Sequence, residues 1–383
     1  MTGRFDDFFE LSLGRTPSRG IDSYWGGTHT WVSISDMSSV KYISNSKECI
    51  TDIAISDTNI PIVKKGTVIM SFKLSIGKVC ITEKDLYTNE AIMAFVPKPQ
   101  YNILPVFLYY YLMSYKWNNS NDVVLGSTLN KKTISQSIIS IPSSLDEQKR
   151  IVEILDKEFE KIDTLQANAE KGLQQAKDLF QSALKQELQL KEGWNKCVMS
   201  DVCELSQGLA INAKTKHLII EHSSTPLLRI KDLKDNTESI YVDGDKCPKG
   251  SMVDVQDIIY TRTGTLGLVF TGRKGVMHNN CFKIKINENI INKTYFIYYI
   301  SSALFRDKVI RLAERAAQPD ITHRIFGSQI FEYPSIEKQI NIAKCLNKLN
   351  EHCNALQKNY EKTIALCDDM KQVLLRKAFN GEL

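Results

Sequence analysis

The side chains with the most chemical potential in this sequence are polar and basic groups gathered in short, loop-like runs. In the second half these are Thr261-Arg262-Thr263-Gly264-Thr265, Gly272-Arg273-Lys274, His278-Asn279-Asn280 and Gln318-Pro319-Asp320-Ile321-Thr322-His323-Arg324. In the first half they are Ser71-Phe72-Lys73, Thr88-Asn89 and Ser127-Thr128-Leu129-Asn130-Lys131-Lys132. Such residues suit a nucleic acid. Arg offers a guanine two parallel donors, Asn and Gln offer an adenine a donor and an acceptor, and Lys contacts phosphate. The candidate contacts are Lys73, Asn89, Thr128, Asn130, Lys131, Lys132, Arg229, Arg262, Thr263, Arg273, Lys274, Asn279, Asn280, Gln318, His323 and Arg324, with Arg262 foremost. Taken singly, each is better explained as a solvated charge or a turn cap; as a set they favour binding.

Catalytic constellations do not assemble. An amino-methyltransferase needs an Asn/Asp-Pro-Pro-aromatic motif, and no two prolines are adjacent. A phosphate-cradling loop needs the form GxxxxGK[ST]. The nearest run, Gly267 to Gly275, has Arg273 after its second glycine and Gly275 after Lys274. Pro319-Asp320 lacks the Asp/Glu-x-Lys partner of a nuclease centre. No histidines fall at a metal-ligand spacing. The nine cysteines form no C-x-x-C pair, which suits small buried hydrophobes better than zinc or disulfides. The expectation is a chain with no catalytic residue, no metal and no cofactor of its own.

The elements that position these runs occur twice. Asp7-x-x-Glu10-Leu11-Ser12-x-Gly14 recurs as Asp201-x-x-Glu204-Leu205-Ser206-x-Gly208. Val32-x-Ile34-x-Asp36-Met37 answers Leu228-x-Ile230-x-Asp232-Leu233; Gly77-x-Val79 answers Gly267-x-Val269; Asn89 answers Asn279. Phe107-Leu108-Tyr109-Tyr110 answers Phe296-Ile297-Tyr298-Tyr299, and Pro142, Gln148, Ile151, Leu155 and Leu165 answer Pro334, Gln339, Ile342, Leu346 and Leu356. So many matches in one order make each half a structural unit used twice. Each half opens with short β-branched strands and turn glycines, continues through a tyrosine-rich helix, and closes with a long helical pattern.

The first long pattern begins with Ser144-Leu145-Asp146-Glu147, the form of a capping box. Its apolar residues are Ile151, Leu155, Phe159, Ile162, Leu165, Ala169, Leu173, Ala176, Phe180 and Ala183. The second runs through Ile342, Leu346, Leu349, Cys353, Leu356, Tyr360, Ile364, Cys367, Met370 and Leu374. Both keep the three-and-four spacing of a coiled-coil seam, and Gly193 and Gly381 stand where such helices stop. Gly172 sits near the first seam, where it costs about 1 kcal/mol against alanine and suggests a bend. Antiparallel pairing of the two helices would place the globular blocks at opposite ends of a rod.

Composition agrees with a folded, multidomain chain: 383 residues, 43% hydrophobic and 24% charged, with net charge +5. The basic excess lies mostly in the two globular blocks, 14 basic against 12 acidic side chains over 1–142 and 20 against 16 over 191–334. No apolar run reaches membrane-helix length, and Met1 to Asp7 carries acids with no apolar stretch, so neither a membrane span nor a signal peptide is expected and the location is read as cytoplasmic.

The doubled layout resembles the type I restriction-modification specificity subunits, HsdS. So do Trp31-Val32-Ser33-Ile34-Ser35-Asp36-Met37, the Pro142…Asp146-Glu147-Gln148 run, and the ending Leu375-Arg376-Lys377-Ala378-Phe379-Asn380-Gly381-Glu382-Leu383. The likeness spans essentially the entire chain. Two departures are Gly193-Trp194 before the second repeat only, and Ser335-Ile336-Glu337-Lys338-Gln339, which lacks the capping box. The resemblance implies an α+β protein with a pseudo-two-fold repeat: two similar mixed target-recognition domains, 1–142 and 191–334, separated by two long antiparallel helices at 143–190 and 335–383 that form a coiled coil. It implies a bipartite, asymmetric site on double-stranded DNA, one part per domain, with no membrane partner. It also implies two methyltransferase subunits (HsdM), which use S-adenosylmethionine, and motor-nuclease subunits (HsdR). Docking would fall on the helices, at Gln148, Ile151, Leu155, Gln339, Ile342 and Leu346. The competing class is a non-catalytic coiled-coil scaffold whose heads bind proteins; steep salt dependence of DNA binding separates the two.

Overall fold

The computed structural model describes residues 1–37, 40–73, 75–117, 129–221, 223–314 and 318–383. Two compact units result: residues 1–169 with 362–383, and residues 170–361.

In the first unit a five-stranded sheet runs in the order Phe9–Leu13, Ile92–Pro97, Val68–Ser71, Val79–Thr82, Tyr42–Ile43. Its pairs are antiparallel except the last. Val68–Ser71 and Val79–Thr82 are buried along their whole length, so they read as unbroken apolar runs rather than alternating ones. One face, with Val68 and Met70, packs on Phe5, Phe95 and Phe107 and on Leu155 and Leu375 of the long helices. The other, with Ile69 and Cys80, packs on Val32, Met37 and Leu86.

The second unit has a four-stranded antiparallel sheet in the order Cys203–Gln207, Cys281–Ile286, Ile258–Thr261, Val269–Phe270. This is the order of the first four strands of the first unit, element for element. Its core gathers Tyr260, Phe282, Phe296, Phe326, Leu184 and Leu346. The repeat extends to single bonds. Ser71 and Thr261 end equivalent strands, and their hydroxyls pin the following loops: Lys78 N–H donates to Ser71 Oγ at 3.1 Å and Leu268 N–H to Thr261 Oγ1 at 2.9 Å. A Cβ on Gly14 would strike the Thr88 carbonyl, and one on Gly208 the His278 carbonyl, so both positions require glycine for close backbone approach.

The tyrosine-rich segments are the helices Pro105–Ser114 and Lys293–Ser301. The closing helices are Leu145–Leu188 and Ile336–Phe379, 44 residues each. In the first unit Lys371 pairs with Asp163 at 2.5 Å and Arg150 donates to the Leu383 carbonyl at 3.1 Å, so the two segments run antiparallel. In the second unit Leu184 and Leu188 share a core with Ala343 and Leu346, while Gly172 meets Tyr360, again antiparallel.

Two expectations about these helices are corrected. The seam is buried unevenly: Ile151, Leu155, Ile162, Ala169, Ala176, Leu184 and Leu188 are buried on one helix, and Ala343, Leu346, Cys353, Cys367, Leu375 and Ala378 on the other. Leu165 and Leu356 are 44% and 42% exposed, and Met370 is exposed too. Gly172 lies within the continuous helix Leu145–Leu188, and the Tyr360 ring lies only 2.5 Å from where its Cβ would stand, so the glycine makes room for a ring. The capping box is half made: Ser144 Oγ accepts from Asp146 N–H at 3.2 Å, but Glu147 turns to Arg150 at 2.7 Å.

Candidate nucleic-acid interface

Strands Cys203–Gln207 and Ile258–Thr261 both run antiparallel to Cys281–Ile286. The C-terminal ends of the first two and the start of the third therefore share one end of the sheet. Polar loop residues converge there. Arg262 N–H donates to the Asn280 carbonyl at 2.8 Å, and Ile321 N–H to the Arg262 carbonyl at 2.9 Å. Gln207 Nε2 donates to the Asn279 carbonyl at 3.2 Å. Four segments distant in sequence are thus tied together.

At the centre, the Arg262 guanidinium clasps Asp320 through Nε, at 2.8 Å, and through Nη2, and donates from Nη1 to Gln207 Oε1 at 2.8 Å. His323 packs edge-on against Phe282 with centroids 5.2 Å apart. Burial, and secondly the charge of Arg262, lower its pKa below the ordinary histidine value, against an opposing pull from Asp320. Its Nε2 and the Thr263 hydroxyl are buried without a partner among the described residues. Gln318 and Arg324 are exposed, as is Lys274, and Asn279 and Asn280 are half-buried.

Other candidates have internal roles. Arg229 binds the buried Asp232 at 2.8 Å and Ser239 at 2.6 Å. Arg273 donates to Asn236 Oδ1 at 2.7 Å and to the Thr237 carbonyl at 2.9 Å. Together they fasten the short helix Ile230–Asp235. Asp232 answers with a pKa held below the usual carboxylate value: burial, the largest influence, pushes it up, and the bonds from Arg229 and Ser239 outweigh it.

At the matching end of the first unit, Lys73 is half-buried with Nζ 5.6 Å from the Phe72 ring. Asn89 accepts from Ala91 N–H at 3.1 Å, a turn role. Asn130 caps the helix Lys131–Gln136 by accepting from Thr133 N–H at 2.9 Å, leaving Lys131 and Lys132 exposed on its first turn. Thr128 lies outside the described residues. Asn89, Asn130, Arg229 and Arg273 thus each make bonds within their own unit.

The docking expectation for the six helix residues is corrected by burial. Gln148 and Gln339 are both 0% exposed; Ile151, Leu155 and Leu346 are core, and Ile342 packs against it. Each glutamine is a clamp. Gln148 accepts from Leu104 N–H at 2.9 Å and donates to the Asn102 and Pro142 carbonyls at 3.0 and 3.1 Å. Gln339 accepts from Asn292 N–H at 2.8 Å and donates to the Ile290 and Pro334 carbonyls at 3.0 and 2.9 Å. Gln207 and Asp320 were outside the candidate set. The available signal was the mismatch between copies: Leu13 stands where the second copy has Gln207, and Phe72 where it has Arg262.

Among the described residues no helix is long and apolar enough to cross a membrane, and no group of three or more His, Cys, Asp or Glu could hold a metal.

Comparison with known proteins places this geometry. The family model described as the type I restriction modification DNA specificity domain matches twice, over residues 1–175 and 191–366. The chain is 26% identical over 251 residues to the type I restriction enzyme MjaIX specificity subunit of Methanocaldococcus jannaschii, covering 60% of this chain and 57% of that protein. It is 23% identical over 305 residues to the EcoBI specificity subunit of Escherichia coli, covering 71% and 64%. The chain thus spans less than two thirds of the length of these two relatives. A solved chain from work on complex assembly and conformational transition of the type I R-M system superposes with TM-score 0.80 at 16% identity, covering 100% of this chain and 98% of that one. The HsdS subunit from Thermoanaerobacter tengcongensis gives TM-score 0.58 at 16% identity, covering 100% and 97%. The two solved structures speak to the fold.

Proposed function

The chain belongs to the type I restriction modification DNA specificity family, and from that premise we propose that it is the DNA-specificity subunit of a type I restriction-modification complex. Each recognition block reads one part of a split, asymmetric target. The observation that carries the reading is the coincidence of two family matches with two copies of one strand order, whose corresponding sheet ends bear different side chains. One frame used twice with two surfaces suits two unlike half-sites on double-stranded DNA. On this reading the chain does no chemistry and holds no cofactor. Two methyltransferase subunits supply catalysis with S-adenosylmethionine, motor-nuclease subunits join them, and the assembly works in the cytoplasm.

Docking belongs to the outward faces of the long helices, since the residues first expected to dock are internal. The exposed basic residues Lys131, Lys132, Lys274 and Arg324 are available to neutralise phosphates.

The test is reconstitution. Mixed with its methyltransferase subunit, the chain is expected to confer sequence-specific adenine methylation, with DNA affinity falling steeply as salt rises. Equal specificity from the methyltransferase alone would overturn the reading. Salt-independent association would favour a protein scaffold instead.

A further inference from the structure

We propose that Asp320 and Gln207 are positioning residues, which hold Arg262 so that its guanidinium reads a guanine in the half-site bound by the second unit. The inference rests on the DNA-specificity reading and goes further by naming the base and the residues that present its reader.

The first argument counts donors. A guanidinium carries five N–H groups. Asp320 takes one from Nε and one from Nη2, and Gln207 takes one from Nη1. Two remain, one on each terminal nitrogen, that no described residue takes. Guanine in the major groove presents two acceptors, O6 and N7, and a bidentate arginine meets them with two such donors. The Asp320 carboxylate fixes the plane of the group, Gln207 fixes its rotation, and the Asn280 carbonyl fixes the backbone from which it extends. The Arg262 side chain stays 18% exposed, held firmly yet partly at the surface.

The second argument compares the copies. In the first unit the equivalent positions are Phe72, buried in the apolar core, and Leu13, which packs against it. The same strand order there places apolar side chains where the second unit has Arg262 and Gln207. A partly buried ion pair pays desolvation, and apolar replacements are often at least as stable. The fold therefore does not require the clasp. Its presence in one copy alone assigns it to what differs between the copies, which is the target.

The test uses the full chain assembled with its methyltransferase subunit, acting on a DNA library randomised over both half-sites, with methylated products sequenced. For the wild type, one position of a single half-site is expected to demand guanine. Arg262→Lys keeps the charge but loses the paired donors, and should relax that position by roughly 5- to 150-fold while leaving every other position unchanged. Asp320→Asn and Gln207→Leu should relax the same position by less, and neither should add to the effect of Arg262→Lys. A uniform loss across all positions would make Arg262 a phosphate contact and overturn the proposal. So would a folded Arg262→Lys protein with unchanged preferences. A wild type that confers no base preference at all would instead remove the DNA-specificity reading itself. Should Arg262→Lys fail to fold, the Asp320→Asn profile decides alone: relaxation confined to the guanine position supports the proposal, and no change there overturns it.

Discussion

Replacing Gln339 tests whether each unit is held together by its buried glutamine. The side chain is wholly buried and makes three bonds to backbone groups of two segments, the turn before the helix Lys293–Ser301 and the residue that leads into the long helix. Gln339→Ala removes all three at once. A buried hydrogen bond contributes a net of about 1 kcal/mol, and a backbone group left unpaired costs about 1–3 kcal/mol. The expected loss is therefore about 3–5 kcal/mol, at the lower end if water enters the space. Gln339→Glu is sharper: it keeps the shape but sets an acceptor against the two carbonyls, so at neutral pH it should destabilise at least as much. Urea titration gives the size of the loss. Hydrogen exchange gives its location, with faster exchange at Asn292 and through the start of the second long helix. A loss below about 1 kcal/mol, or unchanged protection at Asn292, would refute the clamp.

Gly172→Ala should destabilise by about 1–3 kcal/mol despite the gain in helix propensity, because its Cβ meets the Tyr360 ring; a stabilised variant in thermal melts would show that the ring moves aside freely. Asp232 has a lowered pKa, so its contribution is full above the unfolded value of about 3.9 and is lost as pH falls through the folded value. Asp232→Asn should accordingly flatten the acid side of the stability profile, and urea midpoints measured from pH 6 downward that fall as steeply as the wild type would sink that assignment. Exchanging residues 1–142 for the block of a related specificity subunit should change one half of the methylated site only, and a product altered in both halves would show that the blocks do not read independently.

The sequence exposed the repeat, and with it most of the architecture, because strand burial and helix seams leave apolar periodicity. The end of the second long helix also follows from local chemistry, since Gly381 just past Phe379 takes a left-handed backbone at φ 77°, whereas Gly193 lies in a turn five residues beyond the first helix's end at Leu188. What periodicity could not say was how much of each seam is buried. Leu165 and Leu356 keep the seam spacing yet remain exposed, while Ile162, Ala169, Cys353 and Cys367 at the same spacing are buried. Gly172 was legible only as a weakness, since the reason for it is a ring 188 positions away in the sequence.

Polar residues were harder to read, because their function depends on which neighbour takes each donor, and that neighbour is distant in sequence. Arg229, Arg262 and Arg273 look alike in the chain, yet Arg229 and Arg273 fasten a short helix while Arg262 belongs to a sheet end where loops converge. Comparing the two copies supplies the missing information. Gln148 and Gln339 agree in identity, burial and the kind of every bond, which is how a requirement of the fold behaves when it is imposed twice. Phe72 and Arg262 occupy matching places on matching strands and share no chemistry. Since the frame is met equally by either, the difference between them is not required by the frame, and on the proposed reading, in which the two blocks face two unlike half-sites, it belongs to the DNA.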